Sequence, residues 1–118
     1  MSETKPEITR WITEMGMGVD IRGLDHTKAA RRAVSDALRH SSLNLFEAAG
    51  KERDDMHVDV IVAVADPDAV DTDAVAEEVP YGVVTITAVS GGLDVPAIPG
   101  RTPIVMANAA ILVSFPNE

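Results

Sequence analysis

The chain has 118 residues, 46% of them apolar, which is enough length and core material for one domain without covalent staples. Its formal charge of −9 repels phosphate backbones and anionic headgroups, arguing against nucleic acid and membrane surfaces as partners. The absence of cysteine excludes disulfide frameworks, thiolate metal sites and cysteine nucleophiles, and with Trp11, Phe46, Tyr81 and Phe115 as its aromatic residues the chain offers few platforms for base or sugar stacking.

Residues 1–7 are polar, contain Pro6 and lack periodicity, so they read as a flexible tail preceding a single α/β domain over 8–118. The opening MSETKPEITRW has no apolar leader, and the longest apolar run, residues 60–65, is far too short to cross a bilayer; a cytoplasmic location is the expectation. Residues 8–15 alternate as a strand with unlike faces, and Gly16 and Gly18 are expected to end it. Asp25 is placed to cap a helix in which Ala29, Ala30, Ala33, Val34, Ala37 and Leu38 form one face and Lys28, Arg31, Arg32, Ser35, Asp36 and Arg39 the other. Residues 41–55 read as a partly helical connection.

Residues 56–65 predict a strand with Val58, Val60, Val62 and Val64 on one side and His57, Asp59, Ile61 and Ala63 on the other. Asp66-Pro67 stops it, Asp71 caps a short helix running to Glu78, and residues 83–89 form the next strand. Ser90, Gly91 and Gly92 break that strand, the proline-rich stretch 95–103 is a loop, and 104–115 is a long final strand. The order β-α-β-α-β-β predicts an α/β (α+β) two-layer sandwich, a mixed four-stranded sheet with helices on one face. The other face, with Ile61, Ala63, Thr85 and Thr87, blends apolar and polar residues and is expected to pack against a copy of itself.

Several short motifs have chemical readings. Glu14-Met-Gly-Met-Gly-Val-Asp20 sets Gly16 and Gly18 between two carboxylates, as a plain turn or a ligand loop; the third glycine of a dinucleotide fingerprint is missing. Lys28, beside the cap Asp25, is a solvated lysine, an anion clamp or a base. Ser90-Gly91-Gly92 is an ordinary strand exit or a nucleophile beside two unencumbered backbone amides. His26, His40 and His57 are scattered, so spacing defines no triad. Asp66, Asp68, Asp71 and Asp73 fail as a calcium loop because Asp71 stands where glycine is required, and no metal or cofactor is expected. Asn108, polar within an apolar strand, bonds across the sheet or lines a pocket.

Together, Glu14–Asp20, Asp25-His-Thr-Lys-Ala-Ala30, Met56-His-Val58, Ser90-Gly-Gly-Leu93 and Met106-Ala-Asn-Ala-Ala110 resemble an uncharacterised bacterial family of short hypothetical proteins, from about Trp11 to Phe115. The element order also resembles the fold of the monofunctional chorismate mutases and reactive-intermediate deaminases, which implies a trimer with ligand clefts between subunits. A fainter likeness is to one unit of the cyanuric acid hydrolase and barbiturase family, whose sites carry serine-lysine pairs. The lysine expected before the glycine loop is replaced here by the stretch Ile12, Thr13 and Glu14.

The expectation is thus a homo-oligomer, a trimer by resemblance, binding a small polar or anionic molecule in intersubunit clefts and opening an amide or ring. Ser90 would be the nucleophile and Lys28 the base or clamp, with Glu14, Gly16, Gly18, Asp20, Gly91, Gly92 and Asn108 lining the cleft. The alternative is a non-catalytic binding or structural accessory protein.

Overall fold

The computed structural model describes residues 8–39, 55–80 and 82–116. The expected tail over 1–7 and the connection over 41–54 lie outside the described residues. The elements are β1 (Ile8–Asp20), α1 (His26–Arg39), β2 (His57–Val64), a 3-10 turn (Pro67–Ala69), α2 (Thr72–Ala76), β3 (Val83–Ser90), β4 (Leu93–Val95) and β5 (Ile104–Pro116). No helix among them is long and apolar enough to cross a membrane.

The sheet has the order β1-β5-β2-β3, with β4 beside the start of β5. β5 is central and antiparallel to β1, β2 and β4, whereas β2 and β3 are parallel. The valines at 58, 60, 62 and 64 share one face with Val105, Ala107, Ala109, Ile111 and Val113, and all are buried. Each such valine contributes roughly 1.5–3 kcal/mol by leaving water. α1 and α2 cover this face, so the sandwich has two layers with helices on one side, as the element order predicts.

Asp25 begins α1 as expected, its Oδ1 accepting from the Lys28 N–H at 3.0 Å. The face toward the sheet is Ala29, Ala30, Ala33, Val34 and Ala37, small enough for the helix to sit almost on the strand backbone. Here one expectation is corrected: Gly16 and Gly18 do not end β1 but lie inside it, beneath α1. A Cβ on Gly16 would stand 2.5 Å from the Ala37 nitrogen and 2.6 Å from the Ala33 oxygen, and one on Gly18 would strike Ala29 and Ala33. The close helix approach, not a turn, requires glycine there.

The sheet also has five strands where four were expected. β5 extends past the end of β2, leaving a slot beside Ile104, Val105 and Met106 that residues 93–95 fill. The loop expected over 95–103 therefore begins one residue later. At the C-terminal end of β1, two outer-edge groups are held by α1: Asp36 Oδ2 accepts from the Met17 N–H at 3.1 Å, and Arg32 donates to the Val19 carbonyl. Side chains one helical turn apart thus occupy main-chain groups that would otherwise invite another strand.

The opposite face of the sheet carries no helix among the described residues. Met15, Met17, Ile61, Val83, Val89, Leu93, Val95 and Ile104 are all exposed, Met15 by 68% and Leu93 by 56%. Asp59 is the acidic side chain among the described positions of this face, in a chain with 19 carboxylate residues.

Candidate functional site

β1, β2 and β3 run in one direction and end on the same edge of the sheet, and α1, folding back from β1, begins there. Open α/β sheets place their ligands beyond such carboxyl ends. Asp20, Lys28, Ser90, Gly91 and Gly92 of the expected site lie along this edge in two groups, Asp20 and Lys28 after β1 and Ser90, Gly91 and Gly92 after β3 at the other side of the sheet.

Asp20 is buried at 2% exposure, and its Oδ2 accepts from the Asp25 N–H at 2.9 Å. Its Oδ1 lies 3.7 Å from Lys28 Nζ and 4.0 Å from Arg32 Nη1. The Asp25 N–H holds the carboxyl below its ordinary range; burial opposes this, while the Arg22 N–H and the charges of Lys28 and Arg32 add to the lowering. An ionised carboxylate so committed anchors the 21–25 turn and is a poor proton acceptor. Its partner Lys28 is half exposed, an ion-paired ammonium suited to clamping an anion.

Lys28 opens onto a cleft of about 470 Å³ lined also by Asp25, Thr27, Arg31, Arg32, Ser35 and Glu78. Arg31 Nε donates to Glu78 Oε1 at 2.7 Å, and that bond raises the guanidinium's already high pKa. Thr27 links α1 to the loop after β2: its hydroxyl accepts from the Asp71 N–H at 2.9 Å and donates to the Ala69 carbonyl at 3.3 Å.

Ser90 is exposed at the end of β3. The two glycines after it are fixed by packing. Gly91 N–H donates to the Val64 carbonyl at 2.9 Å, so the expected pair of free amides is corrected to at most one, at Gly92. Gly92 has φ of +66° and lies against the Met106 and Ala63 carbonyls, a place where a Cβ does not fit.

The remaining expected residues do not join this edge. Gly16 and Gly18 are under α1, Glu14 lies farther back along β1 opposite Ile111, and Asn108 is exposed on the uncovered face opposite Met17. Sequence spacing also missed a pair: His26 Nε2 lies 3.8 Å from Asp94 Oδ2, and neither His26 Nε2 nor Asp94 Oδ1 makes a hydrogen bond among the described residues, although both atoms are buried. The available signal was that Asp94 falls two residues after the Gly-Gly exit, but only the β4–β5 pairing brings it to α1.

A family model described as a conserved hypothetical protein, Lin0512 family, matches residues 10–113. The chain belongs to the Lin0512 family. A crystal structure from Nostoc punctiforme, described as an FtsZ-like protein of unknown function, is similar to this Lin0512 chain at 37% identity and a TM-score of 0.82, covering 93% of this chain and 98% of the other. No curated protein matches it. The family resemblance read from residues 11–115 thus agrees with the matched span, and family membership brings a fold without a reaction.

Proposed function

We propose that this Lin0512 protein is a homo-oligomer binding a small polar or anionic molecule in clefts at subunit boundaries, with amide or ring opening as the reaction such a site would perform. The observation that carries the reading is the uncovered sheet face, which exposes large apolar side chains on all five strands and has Asp59 as its acidic side chain among the described positions. About twenty outward-facing strand positions, each spanning two residues at ~3.3 Å per residue and ~4.8 Å between strands, give roughly 600 Å² of flat surface. That is within one partner's share of a stable interface, about 600–1,000 Å². Occupation of the Met17 N–H and Val19 carbonyl by α1 side chains favours association through the face over strand addition at that end of β1. A trimer is the form implied by the fold likeness, its three uncovered faces turned toward a common axis.

In this reading Lys28 clamps the ligand's anionic group, Ser90 is its hydrogen-bond donor or nucleophile, and the Gly92 amide is the available oxyanion donor. A non-catalytic binding module is the second reading, favoured by one observation: the Gly91 N–H is spent on Val64.

The test begins with molar mass in solution. The wild type should run at a multiple of 12.5 kDa and Ile61→Asp as a folded monomer; a monomeric wild type rejects the assembly. A thermal-shift screen of small anions then addresses the site. Loss of the response in both Lys28→Ala and Ser90→Ala, with fold and mass retained, supports the cleft, and an unchanged response in both rejects it.

A further inference from the structure

A second cleft, of about 810 Å³, lies where the turn after β1 meets the loop between β4 and β5. Its apolar wall is Ile21, Val95, Ile98 and Ile104, and Arg22 and Arg101 stand among them. Two features distinguish it from the cleft beside Lys28. No lining residue is acidic, although the chain has 19 Asp and Glu against 10 Lys and Arg. Neither guanidinium has a carboxylate partner among the described residues, whereas Arg31 and Arg32 both do. The four apolar residues are also exposed, Ile98 by 64% and Ile21 by 59%.

We infer that this cleft binds a small amphipathic carboxylate, its tail on the isoleucines and valine and its charged end on Arg22 and Arg101. The chemistry is complementary on both counts. A guanidinium presents paired donors that match a carboxylate, and an apolar wall of this size suits a short acyl or aryl chain. The site is partly preorganised, because Arg22 lies within the turn that the Asp20 carboxylate closes by accepting the Asp25 N–H at 2.9 Å, which restrains the backbone from which the Arg22 side chain leaves. Val95 and Ile104 belong to the uncovered sheet face, so the cleft lies at the rim of the proposed interface. The inference does not depend on Ser90 or Lys28.

The test is isothermal titration of the full chain with octanoate and 4-phenylbutyrate, compared with octanamide, which lacks the charge, and acetate, which lacks the tail. Saturable binding of at least one amphipathic carboxylate is expected, with no measurable binding of octanamide or acetate at the same concentrations. Arg22→Gln and Arg101→Gln should each weaken it about tenfold or more, the loss of one charge-assisted contact. Ile98→Ser should weaken it while leaving the molar mass unchanged. Failure of both carboxylates to bind overturns the inference, as does equal binding of octanamide or wild-type affinity in both arginine variants. If the arginine variants change the mass rather than the affinity, the cleft is a contact between copies and the inference is also overturned. Because mass and affinity are read separately, failure of the assembly and failure of this cleft are distinguishable.

Discussion

The Asp20 carboxylate accepts the Asp25 backbone N–H at 2.9 Å, closing the turn between β1 and α1 over a side chain that is almost fully buried. The same turn carries Gly23 at φ +90°, which glycine adopts readily, and Leu24 at φ +53°, a conformation that other L residues avoid. One carboxylate thus ties the start of α1 to the end of β1 and pairs with Lys28.

Asp20→Ala should cost about 2–3 kcal/mol, since it strands the part-buried Asp25 N–H and removes the carboxylate beside Lys28 and Arg32, and Asp20→Asn less because the amide oxygen still accepts. The sign of the pH dependence follows from the lowered pKa. A carboxyl held below its ordinary value of 3.8 adds stability in full above that value and loses it as the pH falls through the folded-state value. The gap between wild type and Asp20→Asn in urea melts should therefore be constant from pH 7 to about 5 and narrow below about 4. A constant gap down to pH 2 would show that the carboxylate's charge is irrelevant.

Gly18→Ala tests the contact between α1 and β1. Its Cβ would meet main-chain atoms of Ala29 and Ala33, which cannot move without lifting the helix. A loss of about 2–3 kcal/mol is expected in chemical denaturation. Gly100→Ala is the control: Gly100 has φ of +84° but nothing within 4 Å of the added carbon, so it should lose only about 1 kcal/mol from backbone strain. Equal losses would reject packing as the reason for Gly18.

These glycines also show where sequence reading stops. The alanine spacing of α1 and the valine alternation of β2 are local patterns, and each gave its element and buried face correctly. Gly16 and Gly18 look like strand breakers because local propensity registers only their flexibility, whereas their role depends on a helix that arrives ten residues later. β4 has no local signature, since Leu93–Val95 is a strand only because β5 overhangs β2. At the site, Lys28 and Asp20 were legible as polar residues beside a strand end and a cap. The spent Gly91 amide, the His26–Asp94 pair and the arginine-lined cleft all arise from contacts between distant segments.

Leu24 offers a stabilising substitution. It is a non-glycine residue in the left-handed region and 43% exposed, so little packing offsets its strain. Leu24→Asn should raise the stability by about 0.5–1 kcal/mol, because asparagine tolerates that conformation. A lower melting temperature would mean that the leucine side chain has a contact worth more than the strain, as it would if a second copy packed against the turn. Repeating the melt across a hundredfold range of protein concentration separates these cases, since only an intermolecular contact makes the difference concentration-dependent.

Thr27→Val removes a hydroxyl that both accepts from Asp71 and donates to Ala69, while keeping the side-chain shape. The loop after β2 is then tied to α1 chiefly through the Arg31 contacts with Glu77 and Glu78 beyond α2. Because the bonds are solvent-accessible, water replaces them in part, and the global loss should be only about 1 kcal/mol. Local opening should respond more strongly than the global melt. Amide exchange at Asp71, whose N–H loses its acceptor, should quicken, while amides in β2 and β5 stay at wild-type rates per unit of global stability. Ala74 provides the internal reference, since its N–H is held by the Asp71 side chain at 3.2 Å. If Ala74 quickens equally with Asp71, the Thr27 hydroxyl supports the whole loop and the α2 cap; if neither changes, the two hydrogen bonds contribute nothing to holding the loop against α1.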